Sequence, residues 1–450
     1  MRIRVQMLIE PDQEDTPACM KEVACFERGP LTTETPGLRL EEARQMLAGV
    51  QQVMTGSQME AYVEQQRQCP YCRQPLAYKG HHQIGVRSLF GKLTLSSPCL
   101  YTCSCQPQKT RSWSPVAALL LERSTPELLY QEVRWALLLS YGIILKLLGD
   151  LLPMEHLLST STLSRHVHLV AERLENELGD EQPSFTTGCP AQWYGLPEPA
   201  APLVVSIGSY VLVLRFRARK DGSFEVIVGK STTGDGATTR FGLVSGYDPK
   251  PKRRLFEVLQ AQGLQMNQAI TFLTDRGASL RDLTDGHSPQ STSIFDWFHI
   301  AMWLTVLGQM GKSVEVEHKG EKFEEELERV KWFLWHNNVY KALQLLEWLE
   351  SHIDEEASEE TRKLARTLRE FDHYIRTNQS SLPNYGDRYR NGEPISSSLA
   401  ESSVNQIISM RFVKKQQVRW RRRGAHLLFR SERGCATIHS RRPFNAGILG

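Results

Sequence analysis

Apolar residues recur at three- and four-residue steps through Leu40, Ala43, Met46, Leu47 and Val50. Val53, Met59 and Val63 continue the stripe, which predicts a helix or helix pair up to about Gln68. After Cys69 the texture changes to short alternating runs broken by Gly80, Gly85 and Gly91, the mark of a small β ribbon ending near residue 115. A second helical block spans Ser124 to Gly179. Its stripe of Leu157, Leu158, Leu163, Val167, Val170, Ala171 and Leu174 surrounds a Ser159-Thr-Ser-Thr start signal. The polar, Pro-rich stretch 180–202 reads as a linker. Beyond it three β-rich runs, Leu203–Phe216, Phe224–Val228 and Thr239–Ser245, are separated by Gly and Asp turns and predict an antiparallel meander.

The pattern then alternates: helix at Arg253–Gln262, strand at Ala269–Thr274, helix at Leu280–Thr284, strand at Ser293–Phe295 and helix from Ile300. Three meander strands followed by alternating helix and strand is the order of an RNase H-like α/β domain, and a generic α/β fold shows similar alternation. Residues 311–378 are charged and helical in period, which predicts an all-helical insertion. The expected organisation is a helical lead-in (1–68), a zinc-ribbon-like module (69–115), a helical, helix-turn-helix-like DNA-binding region (116–180) and the linker (181–202). The first part of the α/β core (203–310), the helical insertion (311–395), a catalytic and basic segment (396–430) and an irregular tail (431–450) complete it.

At 450 residues and 40% hydrophobic, the chain is long enough for several cored domains. The net charge of +3 conceals an uneven distribution. Residues 398–430 carry +7 and leave −4 for all the rest, so one short segment is suited to a polyanion. Acids interrupt the N-terminus before a signal sequence could form, and Lys146 and Asp150 break the most apolar stretch, Trp135–Leu152. An intracellular protein is expected, with no membrane span and with Trp135–Leu152 as a buried helix. Nine cysteines in such a chain argue against a disulfide framework and turn attention to metal.

Three constellations could carry chemistry. Cys69-Pro-Tyr-Cys72 and Cys103-Ser-Cys105 are two close pairs, suited to tetrahedral zinc, with Cys99 as a substitute ligand because the second pair has one spacer residue where two are usual. Bound zinc would supply stability that so small a ribbon lacks. Asp275 and Asp296 end two apolar strands and Glu401 opens a later helix. Together they could hold magnesium ions at one edge of a sheet, although a lone Asp after a strand is more often a helix cap. The basic run holds Arg411, Lys414, Lys415, Arg419, Arg421, Arg422 and Arg423 without an acid. As a helix it would stripe Lys415, Arg419, Arg422 and Arg423 toward phosphates, with Trp420 packed inward.

Phe224-Glu-Val-Ile-Val-Gly-Lys, Phe272-Leu-Thr-Asp275-Arg-Gly, Asp296-Trp-Phe-His299, Glu401-Ser-Ser-Val-Asn405-Gln and Arg411 through Arg423-Gly-Ala-His426-Leu-Leu428 resemble the ISKra-type insertion-sequence transposases. These are bacterial DDE enzymes with an RNase H-like catalytic domain. Including the cysteine ribbon and the Ser-Thr-Leu-Ser-Arg-His helices, the resemblance covers roughly residues 40–430. It implies cleavage and joining of double-stranded DNA at transposon ends and target, in the cytoplasm and at the nucleoid, with Mg2+ or Mn2+ held by Asp, Asp and Glu. Asp275 would be the second acid and Glu401 the third, with Asp296, His299 and Asn405 supporting; Asp296 is also a candidate replacement for a lost acid, and Asp221 a poorer one. Transposases of this general kind often work as multimers, so a homo-oligomer is compatible with the resemblance, but no heptad seam signals one.

Where the family pattern has an aspartate in its opening strand, the chain reads Val205-Ser-Ile207-Gly208-Ser-Tyr. Ile207 or Gly208 holds the place, and neither is an acid. Loss of one member of a catalytic unit removes nearly all activity. After Leu428 the expected apolar helix gives way to Phe429-Arg-Ser-Glu-Arg-Gly-Cys435 and a Pro/Gly-rich tail, as in a frameshifted copy. The sequence therefore suggests an impaired transposase. A non-catalytic DNA-binding or regulatory protein derived from one is the alternative, and a nuclease acting on RNA or hybrids is a third.

Overall fold

A computed structural model describes residues 1–10, 17–33, 36–105, 111–153, 158–213, 223–274, 278–312, 317–318, 321–396 and 422–429. The described residues form two compact units, 1–171 and 172 onward.

The first unit opens with β1 (Arg2–Ile9) and β2 (Cys19–Glu27), an antiparallel pair whose register shifts between Val5 and Gln6. This corrects the expectation of a purely helical lead-in over 1–68. Ile3, Val5, Met7 and Ile9 alternate with Arg2, Arg4 and Gln6, a period-two pattern in plain view. The helix α1 (Leu40–Gln65) packs on β2, where a Cβ on Gly49 would overlap the Val23 carbonyl. At its N-terminus the Glu42 carboxylate receives Arg28 Nη2 at 2.7 Å, the Arg39 backbone N–H at 2.9 Å and Arg39 Nη2 at 2.9 Å. Arg28 first and Arg39 second hold the Glu42 carboxyl down to about 2. A depressed carboxyl stabilises the fold above its ordinary value and ceases to do so as pH falls through its folded one. Urea unfolding should therefore show stability declining from about pH 4.5 toward about pH 2. Glu42→Gln should flatten that limb, and an unchanged limb would show the clamp to be inert.

A three-stranded antiparallel sheet follows: β3 (Tyr78–Ser88), β4 (Gly91–Tyr101) and β5 (Ser112–Trp113). Ile84 and Val86 of β3 and Leu93 and Leu95 of β4 meet Val63 of α1 and Val116 of α2 (Pro115–Leu119) in a small core. Then come α3 (Pro126–Ala136), α4 (Tyr141–Leu151) and α5 (Thr160–Glu177). His166 Nδ1 lies 2.6 Å from Glu132 Oε2, a buried hydrogen bond tying α5 to α3. Trp135–Leu152 is not one buried helix. The chain breaks between α3 and α4, and α4 buries Ile144 and Leu148 while Ile143 and Leu151 are exposed. Residue polarity cannot distinguish the inner and outer faces of so uniformly apolar a helix.

The second unit is built on a five-stranded sheet. Its strands are β6 (Leu203–Val213), β7 (Ser223–Thr232), β8 (Thr238–Val244), β9 (Ile270–Thr274) and β10 (Ser291–Phe295), in the order β10-β9-β6-β7-β8. β6, β7 and β8 are antiparallel neighbours, whereas β9 runs parallel to both β6 and β10. Parallel pairing requires a crossover, supplied by α7 (Pro251–Ala261) and α8 (Ala278–Thr284). β9 is buried at all five positions, as expected for a parallel strand covered on both faces. Leu203, Val205 and Ile207 of β6 share a core with Ile227, Phe241, Leu243 and the α7 residues Leu255, Val258 and Leu259.

Residues 180–202 are not merely a linker. They contain α6 (Pro190–Tyr194), and Phe185 is buried with its ring stacked 4.5 Å from that of Phe256. After β10 come α9 (Trp297–Gly311), α10 (Phe323–Trp335), α11 (Val339–Ser351), α12 (Glu359–Asn378) and α13 (Tyr385–Arg390), which share one core. This is the helical region expected from the charged, periodic stretch, but it is not all-helical: before α10 the short strands Glu317–His318 and Glu321–Lys322 pair antiparallel. Residues 422–429 form a further helix, and the Phe429 ring sits where a side chain on Gly242 would be.

Candidate functional site

The sequence places Cys69 just after α1, where the chain turns back on itself. Cys69 N–H donates to the Gln74 carbonyl at 2.9 Å, Arg73 N–H donates to the Cys69 carbonyl at 2.8 Å, and Arg73 adopts φ 59°. The second pair follows β4, which the β3–β4 register delivers to the same end of the sheet. Cys69 Sγ lies 3.4 Å from Cys105 Sγ, Cys72 Sγ lies 3.5 Å from Cys103 Sγ, and all four sulfurs fall within 4.8 Å of one another. A tetrahedron with metal–sulfur bonds of about 2.3 Å has edges of about 3.8 Å, so four thiolates here can hold one metal ion. The single-residue spacing of the second pair is accommodated. Cys99 stands in β4 opposite Gly80, outside this group, and is not needed as a substitute.

The site favours ionisation unevenly. Backbone N–H groups, that of Cys72 foremost, bring the Cys69 thiol down to about 7. Cys105 is pushed up, chiefly by its side-chain hydrogen bond with Cys103 and then by those with Cys69 and Cys72, which hold the proton on its sulfur. The module beneath is slight: Cys69, Leu76 and Leu100 are buried, with Cys103 and Trp113 packed against them.

The acidic constellation is only partly on view. Asp275, Glu401, Asn405 and the basic residues Arg411, Lys414, Lys415, Arg419 and Arg421 lie outside the described residues, as does the tail 431–450. Asp296 is described, and the Asp296 N–H donates to the Thr274 carbonyl at 3.1 Å. The end of β10 therefore lies against the residue that precedes Asp275 in sequence. The Asp296 side chain is 1% exposed and caps α9, its Oδ1 accepting from the Phe298 N–H at 3.0 Å. His299 Nε2 stands 3.8 Å from the other oxygen. The helix-capping role weighed for a lone Asp after a strand is thus filled.

The register separates Ile207 from Gly208, the two positions at which the resemblance leads one to expect an acid. Ile207 pairs with Thr274 in the parallel β6–β9 ladder and is buried in the core facing α7. Gly208, the next residue, belongs to the opposite face, because successive strand residues alternate.

Arg422 and Arg423 lie exposed in the helix over 422–429, and Arg423 pairs with Glu172. Inward from them is a cluster that the sequence reading missed. Arg254, 2% exposed, grips both oxygens of Asp248, with Nη2 to Oδ1 at 2.5 Å, and reaches Glu175 Oε2 at 3.4 Å. His426 Nε2 stands 3.7 Å from that same Glu175 oxygen. Burial raises the Glu175 carboxyl, but His426 and Arg254 together outweigh it and leave the group below its ordinary value. Glu175, Asp248 and His426 offer three ligand atoms within 4.8 Å, a second group that could hold a metal ion, with Arg254 already supplying positive charge there. No local pattern announces it, since the cluster joins three distant stretches, with Asp248 and Arg254 from one of them. Arg254→Met would strand the buried Asp248 carboxylate, and thermal unfolding should report a loss of about 3–5 kcal/mol.

Among the described residues no helix is long and apolar enough to cross a membrane. No protein-family model matches the chain, and no curated protein matches it.

Proposed function

We propose that the protein derives from a DDE-class DNA transposase of RNase H-like fold, binding transposon-end DNA through its N-terminal module and C-terminal basic segment, with strand cleavage impaired. The observation that carries this reading is the sheet. A β10-β9-β6-β7-β8 order, with an antiparallel β6-β7-β8 meander and two parallel strands beyond, is the arrangement an RNase H-like domain requires. The same arrangement brings the end of β10 and the middle of β6 to Thr274, the neighbour in sequence of Asp275. Carboxylates gathered there could hold magnesium or manganese, which would polarise a phosphodiester and activate its attacker. Asp275 and Glu401 are the ligands proposed, with Gly208 at the place of the absent one. Zinc is the metal proposed for Cys69, Cys72, Cys103 and Cys105, since four thiolates are its characteristic structural donor set.

The deciding test is metal-dependent cleavage of a plasmid carrying the DNA that flanks the gene, comparing the natural chain with Gly208→Asp. Cleavage by the variant alone supports the proposal, and equal cleavage by both refutes the account of the missing acid. The absence of any carboxylate at 207 and 208 also favours a second reading, a non-catalytic DNA-binding or regulatory protein. Equal DNA affinity with and without magnesium, together with an inactive revertant, would favour it.

A further inference from the structure

The helix over 422–429 is fastened to the second unit at a buried charged cluster that neither the cysteine site nor the proposed magnesium site uses. His426 on that helix, Glu175 near the end of α5 and Asp248 in the turn between β8 and α7 converge there, with Arg254 of α7 among them. Little of it meets solvent: His426 is 5% exposed, the Arg254 side chain 2% and the Asp248 side chain 1%. The Tyr247 ring meets that of His426 edge to face at 5.3 Å and holds it in place.

Three features point to a cation. Two carboxylates face one guanidinium, so beside a neutral imidazole the cluster keeps one negative charge in excess, which is costly away from water. Arg254 does not cancel it, because Nε and Nη2 both donate to Asp248, and Nη2 stands 3.4 Å from Glu175 Oε2. Arg254 Nη1 and His426 Nδ1 are buried with no hydrogen-bond partner, whereas buried polar atoms are normally bonded. Finally, one ligand atom from each of Glu175, Asp248 and His426 lies within 4.8 Å of the others, and His426 Nε2 is 3.7 Å from Glu175 Oε2. Two such atoms bonded to one tetrahedral zinc stand about 3.4 Å apart, so a small closure brings all three onto a single ion.

The donors select that ion. One imidazole nitrogen with two carboxylate oxygens suits zinc, whereas magnesium takes oxygen ligands and keeps several waters. Three protein donors leave the fourth zinc position to a water, the kind of partner that buried orphan donors otherwise lack. Arg254 fits the same arrangement, since carboxylates that bind metal are themselves held by hydrogen bonds that orient them.

We infer that Glu175, Asp248 and His426 bind a second zinc ion, besides the one proposed for the cysteines, and that this ion clamps the helix over 422–429 to the end of α5 and to the turn before α7. The inference goes beyond the DNA-processing reading and does not rest on it. It makes the seating of the helix that carries Arg422 and Arg423 depend on zinc.

The test uses the full chain, loaded with a zinc salt and freed of loose metal by gel filtration. Metal analysis should give two zinc ions per natural chain and one each in Glu175→Gln, His426→Gln and Cys72→Ser. Amide exchange over 422–429 should slow about 100-fold in the natural chain at a free zinc concentration of about 100 times Kd. It should not respond to zinc in Glu175→Gln or His426→Gln. If either variant fails to fold, the natural chain and Cys72→Ser still decide, because each must carry an ion that the cysteines do not hold. A single zinc per natural chain, none in Cys72→Ser, a second zinc that survives both substitutions, or exchange over 422–429 that ignores zinc overturns the inference. The cluster is then a network of ion pairs alone.

Discussion

Gly208→Asp is expected to raise metal-dependent strand cleavage at least about 10³-fold, while Ile207→Asp restores nothing and destabilises the chain. The first expectation follows from the way catalytic units fail. Removing one member of a cooperating set costs nearly as much as removing all, so restoring it returns most of the rate at once. The second follows from which face of β6 each residue occupies. Ile207 is 3% exposed in the core beneath α7, and an aspartate there would combine a lost apolar side chain with a buried, unpaired carboxylate, at a cost of about 4 kcal/mol or more. Gly208 belongs to the other face and carries no side chain to lose. Both variants should be assayed with magnesium and with manganese, alongside a Gly208→Asp, Glu401→Gln double variant. Cleavage that persists in the double variant would exclude Glu401 as a ligand, and cleavage restored by Ile207→Asp would mean that the register argument is wrong.

The other large effect is expected at the cysteines. Zinc should co-purify with the protein, and Cys72→Ser should abolish its binding at this site and unfold residues 69–105. Cys72 is exposed, so the substitution removes almost no packing, and any loss reports a missing ligand. Structural zinc contributes apparent binding free energies of about 10–16 kcal/mol. Burying Leu76 and Leu100 contributes only about 1.5–3 kcal/mol each. Cys99→Ser, which touches a cysteine outside the group, should leave the metal in place. Metal analysis and amide exchange over 69–105 would read both results. A chain that carries no zinc and exchanges identically after Cys72→Ser would refute the site.

The cysteine group was legible because its ligands come in two tight pairs, and a spacing of one or two residues limits where the sulfurs can go. The same locality made the sheet strands and the helices after β10 readable, since period two and period 3.6 are properties of short windows. β1 carries an equally clear alternation, with Ile3, Val5, Met7 and Ile9 set against Arg2, Arg4 and Gln6, whereas β2 has none and is fixed only by its pairing with β1. The Trp135–Leu152 stretch misled for the opposite reason: with nearly every residue apolar, no periodicity distinguished the buried face of α4 from the exposed one.

By itself the sequence determined the order of the sheet strands and of the helices after β10, the two cysteine pairs, and the absence of an acid at both candidate positions of the opening strand. Only the tertiary structure decided that Ile207 and not Gly208 faces the core. It alone joined Glu175, Asp248, Arg254 and His426. The physical reason is range: backbone preference and hydrophobic period act over a few neighbours, whereas strand register and side-chain convergence arise when segments tens to hundreds of residues apart are packed together.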